Sequence, residues 1–249
     1  MNNKQSDQPA RHLHFATPDF ERVQRKGVPE VIMVDRKSVE QTLAIAHAFL
    51  ERTGRAILSR VDSELEAQLR NEFAAEAEIE WVPSARAAVL RNLDFVRPQT
   101  GGRVGVLTAG TSDIPAAEEA ALVCREMGCT VHTTYDVGVA GLHRLFDPLR
   151  AMLDKAQVDV LIVAAGMDGA LPSVVTGLVD VPVIGLPTSV GYGIGGDGVA
   201  ALYSMLQTCA PGLSTVNIDN GIGAGAVAGL IANRVATARA IPLEEKVER

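Results

Sequence analysis

Positive charge is missing from a long stretch of this sequence, since no lysine, arginine or histidine occurs between Ala156 and Asn233. The 249-residue chain has 23 lysines and arginines against 30 aspartates and glutamates, which gives a formal net charge of −7. Neutralising nucleic-acid phosphates requires clustered cations, so this composition excludes nucleic-acid binding through a basic surface. The remaining composition favours a globular protein, because 47% of the residues are hydrophobic and 21% are charged.

Cysteine and long apolar segments are also scarce. Three cysteines, Cys124, Cys129 and Cys209, are too few for a disulfide framework and indicate a reducing compartment. No window of about 20 residues is apolar without polar interruption, so no membrane-spanning helix is predicted. The first ten residues, MNNKQSDQPA, lack the apolar core of a secretory signal. The sequence therefore predicts a cytoplasmic protein that does not enter a membrane.

Glycine is nearly absent from the first 100 residues, where only Gly27 and Gly54 of the 23 glycines occur. The apolar spacing of this region predicts a small α/β domain behind a polar leader. The predicted strands are 31–34, 56–58 and 79–82, and the predicted helices are 38–51 and 61–77. The joint RPQTGG at 97–102 indicates a boundary between domains 1–100 and 101–249, because proline and paired glycine interrupt regular structure.

From Arg103 onward, five apolar segments alternate with helical segments. The predicted strands are 104–110, 129–133, 158–166, 181–187 and 214–218, and the predicted helices are 114–127, 142–155, 170–178, 199–208 and 224–240. Apolar strands joined by helices indicate a parallel sheet covered on both faces, so we expect a three-layer, doubly wound, flavodoxin-like α/β domain. Ligands of such sheets bind outside the carboxyl ends of the strands.

The segments at those carboxyl ends are TAGTSD, AAGMDG, GLPTSVGYGIGG and NIDNGIGAG. Their glycines allow close approach of the backbone to a ligand, and without cations phosphate would be held by backbone N–H groups and helix N-termini. Asp113 and Asp168 are candidate proton acceptors or hydroxyl-orienting groups. An N-cap explains Asp113 equally well, and a turn explains Asp168.

Residues 191–196 match the pattern G-x-G-x-x-G, and Asp219 ends the next strand where a ribose-binding acid would be expected. A nicotinamide-dependent dehydrogenase is therefore an alternative. Two features disfavour it, since the pattern follows the fourth strand of the series and the residues PTSV separate that strand from the glycines.

Cys209 differs from Cys124 and Cys129, which lie at apolar positions and are expected in the core. It follows a helix in the segment QTCAPG, where the negative end of the helix dipole disfavours a thiolate. From spacing alone a structural role is favoured over a nucleophile, which would need positive charge from another domain, another subunit, a metal or the substrate. His132 and His143 show no metal-ligand spacing, and the sequence identifies no metal ligands.

Several motifs resemble a known family. GTSD followed by a helix, and then AAGMDGALPSVVTGLVDVPVIGLPTS, resemble the PurE-type aminoimidazole ribonucleotide carboxylase and mutase pattern. GYGIGGDGVAAL, TCAPG and VNIDNGIGAG resemble the LarB family more fully, and so does RVQRKGVPEVIMVDRK in the first half. The resemblance covers most of the chain and implies a PurE-like C-terminal domain.

The LarB resemblance implies carboxylation and hydrolysis of nicotinic acid adenine dinucleotide. CO2 or bicarbonate is the co-substrate that supplies a second ring carboxylate, and cleavage of the phosphoanhydride releases AMP. The other product, pyridinium-3,5-biscarboxylic acid mononucleotide, is the precursor of the nickel-pincer nucleotide of lactate racemase. Mg2+ is a candidate cofactor, and a homo-oligomer, specifically an octamer, is expected from the same resemblance.

The resemblance also assigns roles to residues. Cys209 becomes a nucleophile that adds to the cationic ring, whose own charge favours a nearby thiolate. Asp168 matches a catalytic acid that is Glu at least as often in the family, and Asp113 matches the phosphate- or ribose-side loop. The residues predicted to bind substrate are Gly110, Thr111, Ser112, Gly166, Met167, Gly169, Pro187, Ser189, Gly191 and Gly193.

Two alternatives stay open beside this interpretation. One is a PurE-like mutase, disfavoured because Gly169 and Ala170 occupy the place of its catalytic histidine and because of the additional first hundred residues. The other is a non-catalytic, nucleotide-binding regulatory module. Since the predicted loops lack cations, we expect Arg36, Lys37 or Arg60, or a cation from a neighbouring subunit, to reach the substrate phosphates.

Overall fold

The computed structural model describes residues 13–241, which divide into two compact units. The N-terminal unit extends to Lys26 and continues over Glu30–Val96, and the C-terminal unit comprises Gly27–Pro29 and the residues from Arg97 onward. The first part of the predicted polar leader lies outside the described residues.

The N-terminal unit is a four-stranded mixed sheet with two main helices. Its elements in chain order are α1 (Arg22–Lys26), β1 (Val31–Met33), α2 (Val39–Thr53), β2 (Arg55–Ser59), α3 (Ser63–Phe73), β3 (Ala77–Val82) and β4 (Ala87–Asn92). The strand order is β1-β2-β4-β3, in which β1 and β2 are parallel and the other neighbours are antiparallel. Phe49, Leu58, Leu69 and Phe73 belong to the apolar core between the sheet and α2 and α3.

Local sequence signals explain the helix boundaries of this unit. The Ser38 side chain accepts a hydrogen bond from the Gln41 backbone N–H, and the Gln41 side chain accepts one from the Ser38 N–H. This reciprocal pair forms a capping box at the start of α2. Gly54 ends α2 with a φ of 74°, a conformation that glycine adopts without steric cost. At the start of α3, Asp62 accepts a hydrogen bond from the Leu65 N–H at 2.8 Å.

Strand β4 is absent from the sequence prediction, which has only three strands here. Residues 87–90 of β4 are completely buried between β2 and β3, as a central strand requires. The chain reverses before β4 through the 3-10 turn Pro83–Ala85 and Arg86, whose φ is 49°. This turn lacks the asparagine–glycine type of signal that marks two-residue hairpins, so no hairpin is predicted here from sequence.

The C-terminal unit is the three-layer, doubly wound α/β domain that the sequence predicts. Its elements are β5 (Arg103–Thr108), α4 (Ile114–Glu126), β6 (Thr130–Thr134), α5 (His143–Arg150), β7 (Val160–Ala165), α6 (Ala170–Thr176), β8 (Val183–Pro187), α7 (Val199–Leu206), β9 (Leu213–Thr215) and α8 (Gly221–Ala240). All neighbouring strands are parallel in the order β6-β5-β7-β8-β9. This is the flavodoxin-like strand order, so the predicted fold class is confirmed.

Apolar clusters on the two faces of this sheet produce the three layers. On one face, α4 and α8 pack small side chains such as Ala120, Ala224 and Ala228 against the strands. On the other face, α5, α6 and α7 cover side chains such as Leu161 and Val163. Because both faces are covered, ligands have access to the sheet only at its strand ends.

Helix α8 is, within residues 13–241, the one helix long and apolar enough to cross a membrane by length and composition. Its small residues pack closely on α4 in this fold. A Cβ on Gly225 would lie 2.5 Å from the Ala120 carbonyl oxygen and 2.8 Å from the Val123 Cβ. The contact between α4 and α8 therefore depends on glycine at this position.

We expect Gly225→Ala to destabilise the C-terminal unit by about 1–2 kcal/mol, because overpacking outweighs the better helix propensity of alanine. Gly177→Ala is the matched control. A Cβ there would be no closer than 3.6 Å to its neighbours and would enter an ordinary right-handed backbone. Thermal unfolding followed by circular dichroism measures both variants. Equal melting temperatures for the two would contradict the packing argument.

Candidate functional site

The loops that follow β5, β7 and β8 converge at the carboxyl edge of the C-terminal sheet. The Thr188 backbone N–H donates to the Ala165 carbonyl at 3.1 Å, and its hydroxyl donates to Asp113 Oδ1 at 2.6 Å. The Met167 N–H donates to the Val190 carbonyl at 2.8 Å. Predicted substrate-binding residues at this edge are Gly110, Thr111, Ser112, Gly166, Met167, Gly169, Pro187, Ser189, Gly191 and Gly193.

Asp113 is 3% exposed, and both of its carboxylate oxygens accept hydrogen bonds. Oδ1 accepts from Thr188, and Oδ2 accepts from the Gly110 backbone N–H at 2.8 Å. Its side chain makes no N-cap hydrogen bond to α4. It instead holds a 3-10 turn that leaves Thr111 and Ser112 exposed at the sheet edge. This geometry supports a positioning role for Asp113, and its part in catalysis stays a prediction.

Burial raises the pKa of the Asp113 carboxyl above the usual aspartate range, and hydrogen bonds from Thr188, Gly110 and Gly166 oppose that shift. The charge of Asp219 raises the pKa further. The folded protein thus holds this proton more tightly than the unfolded chain. The resulting stabilisation is present below the ordinary aspartate pKa and is lost as pH rises through the raised pKa.

The loop after β7 carries Asp168 and is tied to the loop after β8. A Cβ on Gly166 would lie 2.1 Å from the Val190 carbonyl oxygen, so this contact requires glycine. Asp168 is exposed, and its Oδ1 accepts one long hydrogen bond, 3.4 Å from the Ala170 N–H. Its carboxylate is therefore accessible at the carboxyl edge, as a proton acceptor has to be.

A long loop over residues 188–198 joins β8 to α7 and contains the glycine-rich segment. The Ser189 N–H donates to Asp219 Oδ1 at 2.9 Å, so Asp219 organises the beginning of this loop. Gly191 and Gly193 lie further along and are exposed. The G-x-G-x-x-G pattern therefore does not form the tight strand-to-helix turn of a dinucleotide-binding fingerprint.

Cys209 lies at the opposite edge of the same sheet. Helix α7 starts at the carboxyl edge and runs back toward the amino edge, where Cys209 follows it and β9 begins. The Gly212 carbonyl accepts a hydrogen bond from the N–H of Val183, the first residue of β8, which fixes this segment at the amino edge. A single chain therefore does not bring Cys209 together with Asp168.

Cys209 is nevertheless the exposed thiol of this chain, whereas Cys124 and Cys129 are buried as their apolar spacing predicts. Burial raises the pKa of Cys129 to about 11 and also raises that of Cys124. Both buried thiols stay protonated at neutral pH, so Cys209 is the one open to nucleophilic chemistry.

Arg144 is a cation at the carboxyl edge that the sequence analysis missed. It lies at the start of α5, and its Nη1 donates to Asp136 Oδ2 at 2.7 Å. The Asp136 N–H in turn donates to the Thr108 hydroxyl at 3.1 Å, which places this loop at the end of β5. The alternation of strand and helix could have indicated it, because a residue at the start of a crossover helix belongs to this edge.

The cations that the sequence analysis proposed for the substrate phosphates belong to the N-terminal unit. Arg36, Lys37 and Arg60 are all exposed. Arg60 Nη1 donates to Asp35 Oδ2 at 2.8 Å, and Lys37 Nζ donates to the Met33 carbonyl at 2.6 Å. Nothing in this arrangement connects the three residues with the carboxyl-edge loops, so their role at the substrate phosphates stays a prediction, as does that of a cation from a neighbouring subunit.

Within residues 13–241, no group of three or more histidine, cysteine, aspartate or glutamate side chains is arranged to hold a metal ion. Mg2+ commonly binds one or two protein carboxylates together with substrate phosphates and retains several waters. The exposed Asp168 offers one such carboxylate. The donor set therefore fits a Mg2+ ion that binds with a phosphorylated substrate better than one held by the protein alone.

Two family models match this chain. The model described as AIR carboxylase matches residues 103–249, and the model described as LarB/PurE-like N-terminal domain matches residues 10–92. The two matches follow one another along the chain with a short gap at the joint between the units.

Curated relatives agree with these matches. An uncharacterized protein of Methanocaldococcus jannaschii is 43% identical over 216 residues, which cover 86% of this chain and 82% of that protein. An N5-carboxyaminoimidazole ribonucleotide mutase of the same organism is 33% identical over 49% of this chain and 74% of its own length. The corresponding mutase of Thermotoga maritima is 30% identical over 52% of this chain and 74% of its own length.

We expect Thr188→Val to destabilise the C-terminal unit by about 1–3 kcal/mol at neutral pH, because it leaves a buried Asp113 oxygen without its donor. It should also raise the pKa of Asp113, since the Thr188 hydrogen bond lowers that pKa. Unfolding measured across acidic to neutral pH tests both effects. Thr188→Ser retains the hydroxyl and is the control. A loss for serine as large as that for valine would show that packing, not the hydrogen bond, matters here.

Proposed function

The chain belongs to the AIR carboxylase family, in the form with a LarB/PurE-like N-terminal domain, and we propose that it carboxylates and hydrolyses nicotinic acid adenine dinucleotide. The products would be AMP and pyridinium-3,5-biscarboxylic acid mononucleotide, a precursor of the nickel-pincer nucleotide. The family indicates a carboxylase-type enzyme, and our proposal adds the identity of the substrate. The observation that carries it is the exposed Cys209 thiol in a chain whose other two thiols are buried.

The proposed reaction uses the thiolate to make the ring nucleophilic. A carbon–sulfur bond forms between Cys209 and the pyridinium, and the ring becomes a neutral dihydropyridine with enamine character. Its unsubstituted meta carbon then forms a bond to the carbon of CO2. Loss of that carbon's proton to an acceptor such as Asp168, followed by departure of the thiolate, restores the aromatic pyridinium.

The opposite positions of Cys209 and Asp168 in one chain lead us to propose a site shared by two copies. Cys209 at the amino edge of one sheet would meet the carboxyl-edge loops of another copy. Closed rings of identical subunits bring unlike surfaces of neighbouring copies together in this way. The homo-oligomer, an octamer by family resemblance, would then be a requirement of the chemistry.

An exposed apolar surface beside Cys209 supports such a contact. Val199, Tyr203 and Leu206 lie on one face of α7 and are 44%, 66% and 62% exposed. Tyr192 and Ile194, in the loop that precedes α7, are exposed as well. Asp197 is the one charged residue in the segment 188–209, so little desolvation of charge would oppose burial against another copy.

The substrate phosphates would bind at the carboxyl edge of the β5 loop. Thr111 and Ser112 are exposed and offer hydroxyl donors there, and Arg144 supplies a positive charge from the neighbouring loop. A Mg2+ ion bound by the phosphates themselves would supply further positive charge and leave Asp168 free to accept the proton. The cytoplasm, without nucleic-acid or membrane partners, is the proposed location.

The competing function is an aminoimidazole ribonucleotide mutase, which the names of several relatives favour. Against it stand Gly169 and Ala170, since they occupy the place of the mutase histidine. A nucleotide-binding regulatory module would show binding without turnover. The fate of the dinucleotide and the need for a thiol separate all three functions.

We expect the full-length protein, incubated with nicotinic acid adenine dinucleotide, bicarbonate and Mg2+, to release AMP and a carboxylated pyridinium mononucleotide detectable by mass spectrometry. Cys209→Ala should reduce carboxylation by about a thousandfold or more, because the covalent route is lost. Dinucleotide binding should persist in that variant. Failure of the wild type to form both products, or full carboxylation by the variant, would refute the proposed function.

Mixing inactive variants tests the shared site. Cys209→Ala and Asp168→Asn chains, unfolded and refolded together, should regain roughly a quarter of wild-type turnover if each site takes the two residues from different copies. Each variant refolded alone provides the control. Activity that stays at the level of the separate variants would place both residues within one chain.

We expect Arg144→Ala to raise the KM for the dinucleotide about tenfold or more with a smaller change in kcat, because it removes a charge partner of the phosphates. Arg150→Ala is the matched control at the other end of α5, where Arg150 is exposed and pairs only loosely with Asp147 at 3.9 Å. Steady-state kinetics at one ionic strength compares them. Equal KM values for the two variants would exclude Arg144 from phosphate binding.

A further inference from the structure

The N-terminal unit contains a polar cavity of about 250 Å³ that has no part in the proposed reaction. It lies where the parallel strands β1 and β2 end and where α2 and α3 begin. Its lining includes Asp35, Lys37, Arg60, Asp62, Glu64 and Gln68. The carboxyl ends of adjacent parallel strands are the usual place for a ligand in an α/β sheet.

Two cations from different loops reach this cavity. Lys37 follows β1 and Arg60 follows β2, and each has donors left after its one contact with the protein. Lys37 uses one donor for the Met33 carbonyl, and Arg60 uses one for Asp35, so an anionic group can still bind both. The positive ends of the α2 and α3 dipoles add to this potential.

Acidic and amide groups line the same cavity and limit the charge of a ligand. Arg60 lowers the pKa of Asp35, which stays ionised, and Glu64 is exposed at the entrance to α3. A doubly charged phosphate would meet these carboxylates as well as the cations. A ligand with a single carboxylate for the cations, and a hydrogen-bond donor for Asp35 and Glu64, matches this lining better than a phosphate does.

Gln68 supplies an additional reason for a ligand with a donor group. Its side chain lines the cavity, and its buried Oε1 has no hydrogen-bond partner among the described residues. A buried acceptor without a partner is costly, so a ligand whose donor group reaches Oε1 would remove that cost.

From this combination we infer that the cavity binds a small monocarboxylate with a hydroxyl or ammonium group on the neighbouring carbon. Lys37 and Arg60 hold the carboxylate, and Gln68 with the nearby acids accepts hydrogen bonds from the second group. The site is separate from the proposed carboxylation and does not depend on it. Its lining comes entirely from the N-terminal unit.

Isothermal titration calorimetry on the full-length chain tests this inference with glycolate, lactate, glycine, alanine and serine. Acetate and propionate serve as matched ligands without the second group. We expect at least one of the five to bind with a dissociation constant below ~10 mM. The control of equal carbon number, acetate for glycolate and glycine or propionate for lactate, alanine and serine, should bind about tenfold more weakly. Arg60→Gln and Lys37→Met should each weaken binding about tenfold. Gln68→Leu should remove the preference for the second group.

Arg70→Gln is the control variant, because Arg70 is also an ion-paired arginine of this unit, bound to Glu66, but does not line the cavity. It should bind the ligand as the wild type does. Circular dichroism confirms that each variant is folded. The inference is overturned if none of the five ligands binds, if AMP or inorganic phosphate binds in preference to them, or if Arg70→Gln weakens binding as much as Arg60→Gln.

Discussion

The carboxylate of Asp113 is buried, and a buried carboxylate is stable only where donors surround it. Its donors, the Gly110 N–H and the Thr188 hydroxyl, belong to the loops after β5 and β8, with β7 between those strands. One side chain therefore links the loops after β5 and β8 across the end of β7. This buried link helps to position the exposed groups at the same edge, which include Thr111, Ser112 and Asp168.

Charge is distributed unequally between the two units, and this shapes what each can bind. The carboxyl edge of the C-terminal sheet offers backbone N–H groups, hydroxyls and one arginine, Arg144, from the loop after β6. Such a site suits a ligand that already contains positive charge. In the N-terminal unit, both cations and acids line one cavity, so a ligand with a single carboxylate suits it better than a doubly charged phosphate.

Much of the fold follows from the sequence by simple rules. Apolar runs separated by helical spacing predict the five parallel strands, and Ser38 and Asp62 mark helix starts through their caps. Strand β4 was missed because its turn uses Arg86 in a left-handed conformation without a glycine or asparagine signal. The alternation of strands and helices places Arg144 at the carboxyl edge, but it was missed because cations were sought in the first hundred residues and in a neighbouring subunit.

The position of Cys209 shows what a list of site residues leaves open. A helix that follows a parallel strand must run back to the amino edge, so the order of elements already separates Cys209 from Asp168 within one chain. The family resemblance joined them in one list of catalytic residues, and that list does not say which copy provides each. The direction of α7, from the carboxyl edge to the amino edge, predicts the separation of these two residues, whereas the resemblance does not.

Gly166 keeps the loops after β7 and β8 in close contact. The Val190 carbonyl oxygen lies 2.1 Å from where a Cβ on Gly166 would be, so any larger residue would push the two loops apart. Gly193, a few residues further on, has open space where a side chain would be. The glycine-rich loop is therefore packed tightly at its base and loosely at Gly193, so crowding limits the choice of residue at one end of the loop and not at the other.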